Sequence, residues 1–108
     1  MQTGRIILID IGHDHPEGRH RAEKVERIAS AILTSKGFDG HTVTHGAGYW
    51  QGDYEPQTTV RVYLTGGGSD DLLYRAIDAV REAAAEIRDT LSQDAVGFTV
   101  TRAEVEFV

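Results

Sequence analysis

Arg5-Ile6-Ile7-Leu8-Ile9-Asp10-Ile11 is a continuous apolar run rich in β-branched residues, the pattern of a strand buried on both faces. A second run, Thr58-Thr59-Val60-Arg61-Val62-Tyr63-Leu64, alternates instead. Val60, Val62 and Leu64 point one way; Thr59, Arg61 and Tyr63 point the other. Between the two runs, Ala22, Val25, Ile28, Ala29, Ile32 and Leu33 recur at helical spacing, which predicts an amphipathic helix over about 19–34 stopped by Gly37. His41 to Gly48 is less apolar and reads as an edge strand. After Leu64, Gly66, Gly67 and Gly68 make a turn, and Ser69 caps a second helix whose first turn holds Asp70 and Asp71. Leu73, Ala76, Ile77, Val80, Ala84, Ile87 and Leu91 form its apolar face.

The chain closes on Ala95 to Val108. Val96, Phe98 and Val100 share one parity, and Ala103, Val105 and Phe107 share the other, so a bulge or break is expected near Thr101 and Arg102. The order β, α, β, β, α, β predicts an α+β, ferredoxin-like fold spanning residues 1–108 as one domain. That fold is a four-stranded antiparallel sheet with both helices on one face. Its first and third strands are central, and these are the two most apolar runs.

Only one sheet face is then covered by helices. Because both parities of Ile6 to Ile11 are apolar, the open face predicts an interface, and hence a homo-oligomer, a dimer or higher, joined by sheet-to-sheet or edge-to-edge contact. The alternative is that the segment Gly46 to Pro56 folds back over its own sheet.

Composition excludes several classes. Among 108 residues there is no cysteine, so neither disulfides nor thiolate metal sites are expected, which is compatible with a cytoplasmic protein. No apolar stretch approaches the ~20 residues of a membrane span, and Arg5 to Ile11 is too short for a signal peptide. The formal net charge is −6, which disfavours duplex nucleic acid. A small anionic or aromatic ligand remains compatible, since a single arginine holds one carboxylate or phosphate.

Gly46-Ala47-Gly48-Tyr49-Trp50-Gln51-Gly52-Asp53-Tyr54-Glu55-Pro56 carries the only Trp and two of the four Tyr. It reads either as a binding loop or as a tight hairpin, with glycines for close approach and aromatics for contact area. Tyr49, Trp50, Tyr54, Glu55, Arg61 and Tyr63 are the expected ligand-binding residues: rings for stacking, Arg61 for an anion or for an ion pair with Glu104 or Glu106. Asp53 and Glu55 form a candidate carboxylate pair. His13, Asp14, His15, Glu17 and His20 suggest a metal loop, but a structural site takes four clear ligands. No metal and no cofactor is assigned, and His13, His15 and His20 are the residues a zinc titration would test. His41 and His45 share a strand face and suggest a pH-sensitive pair. Asp70 and Asp71 argue against a phosphate nest after Gly66-Gly67-Gly68. No nucleophile constellation appears.

The segments Gly37-Phe38-Asp39-Gly40 with Thr42-Val43, then Gly48-Tyr49-Trp50 and Glu55, resemble an uncharacterised family of small bacterial ferredoxin-like proteins. That family has a glycine, a nearby Trp and a Glu ahead of an alternating strand, and a Gln-x-x-Val signature matched here by Gln93 and Val96. The similarity runs from Phe38 to Val96 with a gap, and the family's export signal has no counterpart here. It implies the ferredoxin-like layout, no assigned activity, and Trp50 and Glu55 acting as a unit.

Three functions follow from these residues. The first is a non-enzymatic small-molecule-binding module that holds or sequesters a nucleotide-type signal between protomers. The second is a protein-binding adaptor or inhibitor using the aromatic cluster. The third is a small dimeric enzyme of monooxygenase or isomerase type, with His13, His45 and Tyr63 as its candidates.

Overall fold

A computed structural model describes residues 2–67 and 69–108. The chain runs β1 (Gln2–Gly12), β2 (Asp14–His15), β3 (Gly18–Arg19), α1 (Ala22–Ser35), β4 (Thr42–Trp50), β5 (Asp53–Thr65), α2 (Asp70–Thr90) and β6 (Gly97–Val105). The main sheet has the order β4-β5-β1-β6 and is antiparallel throughout. The two helices complete a ferredoxin-like fold with β1 and β5 at its centre.

The apolar parities account for the packing. Ile7, Ile9 and Ile11 of β1 and Val60, Val62 and Leu64 of β5 are buried against Val25, Ala29 and Leu33 of α1 and Leu73, Ile77, Val80 and Ile87 of α2. Each buried Val, Leu or Ile side chain contributes about 1.5–3 kcal/mol on leaving water. Helix ends follow local chemistry. Gly37 takes φ +92° just beyond α1, and the amides of Gly37 and Phe38 bond to Thr34 O and Leu33 O, a Schellman stop. Ser69 Oγ accepts the Leu72 amide at 3.3 Å to cap α2. Gly66 and Gly67 precede it, and Gly68 lies outside the described residues.

Three expectations change. The first helix starts at Ala22 rather than near Arg19, because Asp14–His15 pair with Gly18–Arg19 as a small hairpin, tied by an Arg19–Asp14 ion pair. Pro16 therefore sits in that hairpin's turn. No bulge interrupts β6: its register with β1 is continuous from Gln2↔Val105 to Asp10↔Gly97. The change of apolar parity instead moves the apolar side chains from the helix face (Phe98, Val100) to the open face (Ala103, Val105). Finally, Gly46 to Pro56 does not fold back. β4 and β5 stay paired from Thr42↔Arg61 to Trp50↔Asp53, whereas β1 leaves β5 at Gly12↔Gln57. The last four rows of the hairpin thus project as a two-stranded arm. The radius of gyration, 14.3 Å with extents of 45 × 25 × 23 Å, exceeds the ~13 Å of a compact domain of this length.

By register the open face carries Ile6, Leu8 and Tyr63 among Thr42, Thr44, Thr59, Thr99 and Thr101. Ile6 and Leu8 are half-buried. The face is apolar along β1 and threonine-rich around it.

Candidate functional site

The arm turns at Gln51 (φ +52°) and Gly52 (φ +84°). Two positive φ values in a two-residue hairpin loop match the right-handed twist of its strands. Tyr49 and Tyr54 are cross-strand partners whose rings meet edge-on at 5.8 Å. Trp50 faces the opposite way, across from Asp53. Lacking a helix above them, Tyr49, Trp50 and Tyr54 are 73%, 68% and 50% exposed.

The arm forms one wall of a cleft of about 720 Å³. Its floor is the end of β1 with Asp10 and Gly12, continued by Asp14 of β2, and its other wall is the loop from Ser92 to Gly97. Asp10, Asp14, Asp53, Glu55 and Asp94 all line it, together with Tyr49, Trp50, Tyr54, Gln57 and His15; among the described residues no Lys or Arg does.

Two of these carboxylates are seated by glycines. Glu55 Oε2 accepts the Asp14 amide at 2.8 Å, and its carboxylate fills the space that a Cβ at Gly12 would take, 2.5 Å away. Thr59 Oγ1 donates to Asp10 Oδ1 at 2.6 Å, and a Cβ at Gly97 would come within 3.2 Å of the Asp10 side chain. Arg19 bonds to Asp14 and holds its carboxyl below the usual range. The far wall is fastened by Gln93, whose Nε2 donates to Asp14 O at 2.6 Å, and by His20 Nε2, which donates to Leu91 O at 2.7 Å.

Four expected ligand residues, Tyr49, Trp50, Tyr54 and Glu55, line this cleft, as does Asp53. Arg61 and Tyr63 do not. They lie further along β5 on the open face, where Arg61 Nη1 donates to the Tyr63 hydroxyl at 3.3 Å. The register turns Glu104 to the helix face, so it is not the partner of Arg61. Tyr63 instead borders a hollow of about 440 Å³ with Phe38 and Phe107.

The histidines are dispersed in a way the sequence did not suggest. His13 is buried against Thr58, while His15 stacks on His20 at 4.0 Å. Among the described residues no three His, Asp or Glu are placed to hold a metal ion. His41 precedes β4 and bonds to Ser30 and Phe38, so it does not pair with His45. The pair that forms is His13–His45, with ring centroids 6.3 Å apart. Because His13 and His45 face the helices and Tyr63 faces away, they do not assemble as a catalytic set.

Asp10, Gln57 and Asp94 were missed, and Asp14 and Gln93 were singled out only in the metal loop and the Gln-x-x-Val signature, not as cleft residues. Asp10 carried a signal of its own, as the one acid inside an apolar run.

Comparison of the sequence with protein-family models and with curated proteins found no match. Solved structures do share the fold. A phage SAM lyase in complex with S-methyl-5'-thioadenosine superposes with a TM-score of 0.67 at 16% identity, covering 94% of this chain and 83% of that one. A phage SAM lyase in the apo state gives 0.63 at 17% identity over 97% and 94%. CutA from Synechococcus elongatus PCC7942 gives 0.54 at 10% identity over 95% and 79%. At these identities the likeness is one of fold.

Proposed function

We propose that this ferredoxin-like protein is a binding module whose cleft takes a small molecule combining an aromatic ring with a positive charge, held at the boundary between protomers of a homo-oligomer. One observation carries the reading. Five carboxylates, of which Asp14 alone is ion-paired, to Arg19 behind it, and three aromatic side chains converge on a cleft whose described lining holds no Lys or Arg. A cation 4 Å from one carboxylate gains about 1 kcal/mol in water and ~4 kcal/mol near a protein surface. An aromatic face adds about 0.5–2 kcal/mol. Phosphates would be repelled, so the nucleotide-type ligand becomes a nucleoside that lacks them. Sulfonium nucleosides combine both features, and the phage SAM lyase that shares this fold holds a thionucleoside.

Assembly is supported by the exposed arm, by the apolar strip of Ile6 and Leu8, and by β6, a nine-residue edge strand without proline or bulge, the kind of edge that recruits another strand. The resemblance to the uncharacterised bacterial family agrees with Trp50 and Glu55 acting together, since both line the cleft. A second reading, a protein-binding adaptor, is favoured by the exposure of the three arm aromatics.

Thermal shift with S-adenosylmethionine, S-methyl-5'-thioadenosine and ATP tests the proposal. The sulfonium compound should raise the midpoint most, the neutral thioether less, and ATP not at all. Stabilisation by ATP, or a flat response to all three, overturns it. Trp50→Ala should cost under ~1 kcal/mol of stability at this exposed position and weaken the sulfonium ligand about tenfold. Light scattering should show more than one protomer; a monomer at high micromolar concentration removes the protomer boundary from the proposal.

A further inference from the structure

Behind the cleft, on the helix side of the sheet, four side chains from four segments form one hydrogen-bonded row. Glu26 Oε1 of α1 meets His45 Nε2 of β4 at 2.8 Å. His45 Nδ1 meets Thr58 Oγ1 of β5 at 2.8 Å, and the same oxygen meets His13 Nε2, just after β1, at 2.7 Å. Thr58 is fully buried and His13 nearly so, so water does not substitute for a missing partner. His45 and Thr58 are directly opposed in the ladder, and the arm begins two rows later.

The donors and acceptors fix where each proton sits. A carboxylate only accepts, so His45 carries its hydrogen on Nε2. Neutral His45 then accepts at Nδ1, and Thr58 must donate to it. The Thr58 oxygen in turn accepts from His13, which must carry its hydrogen on Nε2. All three bonds of the row are made with both rings neutral. A proton added at His45 Nδ1 leaves the bond from Nε2 to Glu26 in place. Thr58 now accepts from His45 and donates to His13 Nε2, so His13 moves its hydrogen to Nδ1. A second proton, on His13, puts two cations 6.3 Å apart by ring centroid and leaves the buried Thr58 hydrogen with no acceptor in the row.

We propose that Glu26, His45, Thr58 and His13 form a pH-sensitive clasp at the root of the arm. It accepts one proton by reversing its hydrogen bonds and opens on the second. The charged and titratable groups around His13 are His45 from β4, Glu55 from β5, and His20 and Arg19 from the segment leading into α1. Burial, the neighbouring His45 and His20 rings and the Arg19 cation all oppose a proton there, and only Glu55 favours it. The inference needs no ligand and stands apart from the cleft's proposed function.

Imidazole nitrogen spectra recorded across a pH titration of the intact protein test it. Near neutral pH both rings should be Nε2–H tautomers. The step that charges His45 should convert His13 to the Nδ1–H tautomer. Exchange of the Gly46 and Gln57 amides should quicken about tenfold or more when His13 is charged, as local opening replaces closed pairing. Thr58→Val should decouple the rings, and Thr58→Ser should restore the coupling. Should Thr58→Val not fold, Glu26→Gln on the exposed end removes the fixed acceptor, and both rings should then show mixed tautomers at neutral pH. A His13 that stays Nε2–H while His45 charges overturns the clasp. So does a Thr58→Val protein that titrates as the parent does, or a Glu26→Gln protein with unchanged tautomers.

Discussion

Gly12→Ala probes how the cleft carboxylates are seated. A Cβ at this position would lie 2.5 Å from Glu55 Oε2 and 2.6 Å from its Cδ, well inside contact distance. The obstacle is the end of a flexible side chain, so the backbone stays and the carboxylate swings out. That movement gives up the 2.8 Å bond from the Asp14 amide. A hydrogen bond to a charged group contributes about 1.5–3 kcal/mol, and the exposed setting of Asp14 places this one near the low end. Alanine recovers about 0.5–1 kcal/mol relative to glycine within a strand. The net loss in the parent background is therefore about 0.5–1 kcal/mol. With Glu55→Ala already in place there is no bond to lose, and the same substitution becomes neutral or stabilising by up to ~1 kcal/mol. The double-mutant cycle should return a coupling near 1.5 kcal/mol. Urea denaturation of the four proteins measures it through midpoints at constant m-value. An equal effect of Gly12→Ala in both backgrounds would refute the seating of Glu55 on Gly12.

Stability should fall below neutrality. His13 is held below its ordinary pKa chiefly by burial, with the neighbouring His45 adding to the effect, so above about pH 6.5 it is neutral folded and unfolded alike. As pH drops through that value the unfolded chain takes up the proton first, and stability declines by up to ~1.4 kcal/mol per pH unit until the folded pKa is reached. Urea midpoints at pH 7.5 and 5.5 measure the decline, which His13→Leu should reduce. Gln93→Ala frees the Ser92–Gly97 wall from Asp14 O. It should cost about 1 kcal/mol and weaken the cleft ligand, read together by thermal melting with and without S-adenosylmethionine.

The architecture was legible because its signals are local. The two-faced apolarity of Ile6 to Ile11 and the alternation of Val60 to Leu64 each act within a few residues, and both strands are central. Helical stripes, the Ser69 cap and the Gly37 stop depend on neighbours three to five residues away. The closing strand shows where such reading fails. A parity change from Phe98 and Val100 to Ala103 and Val105 is satisfied by a bulge or by a switch of the face that carries the apolar side chains. The continuous β1–β6 register selects the switch.

Hydrophobic period and turn chemistry, being short-range, were enough to specify the four strands of the main sheet, the two helices and their ferredoxin-like order, but not the β2–β3 hairpin. The cleft and the histidine row needed the folded chain. Asp10, Glu55 and Asp94 are far apart in sequence and come to one cleft only because three segments meet at one end of the sheet. His13 finds His45 through Thr58, not its sequence neighbour His15, because strand pairing brings β1 and β4 to opposite sides of β5. Charge and hydrogen-bond geometry act through space, so residues that look unrelated along the chain become a single site once the sheet is closed.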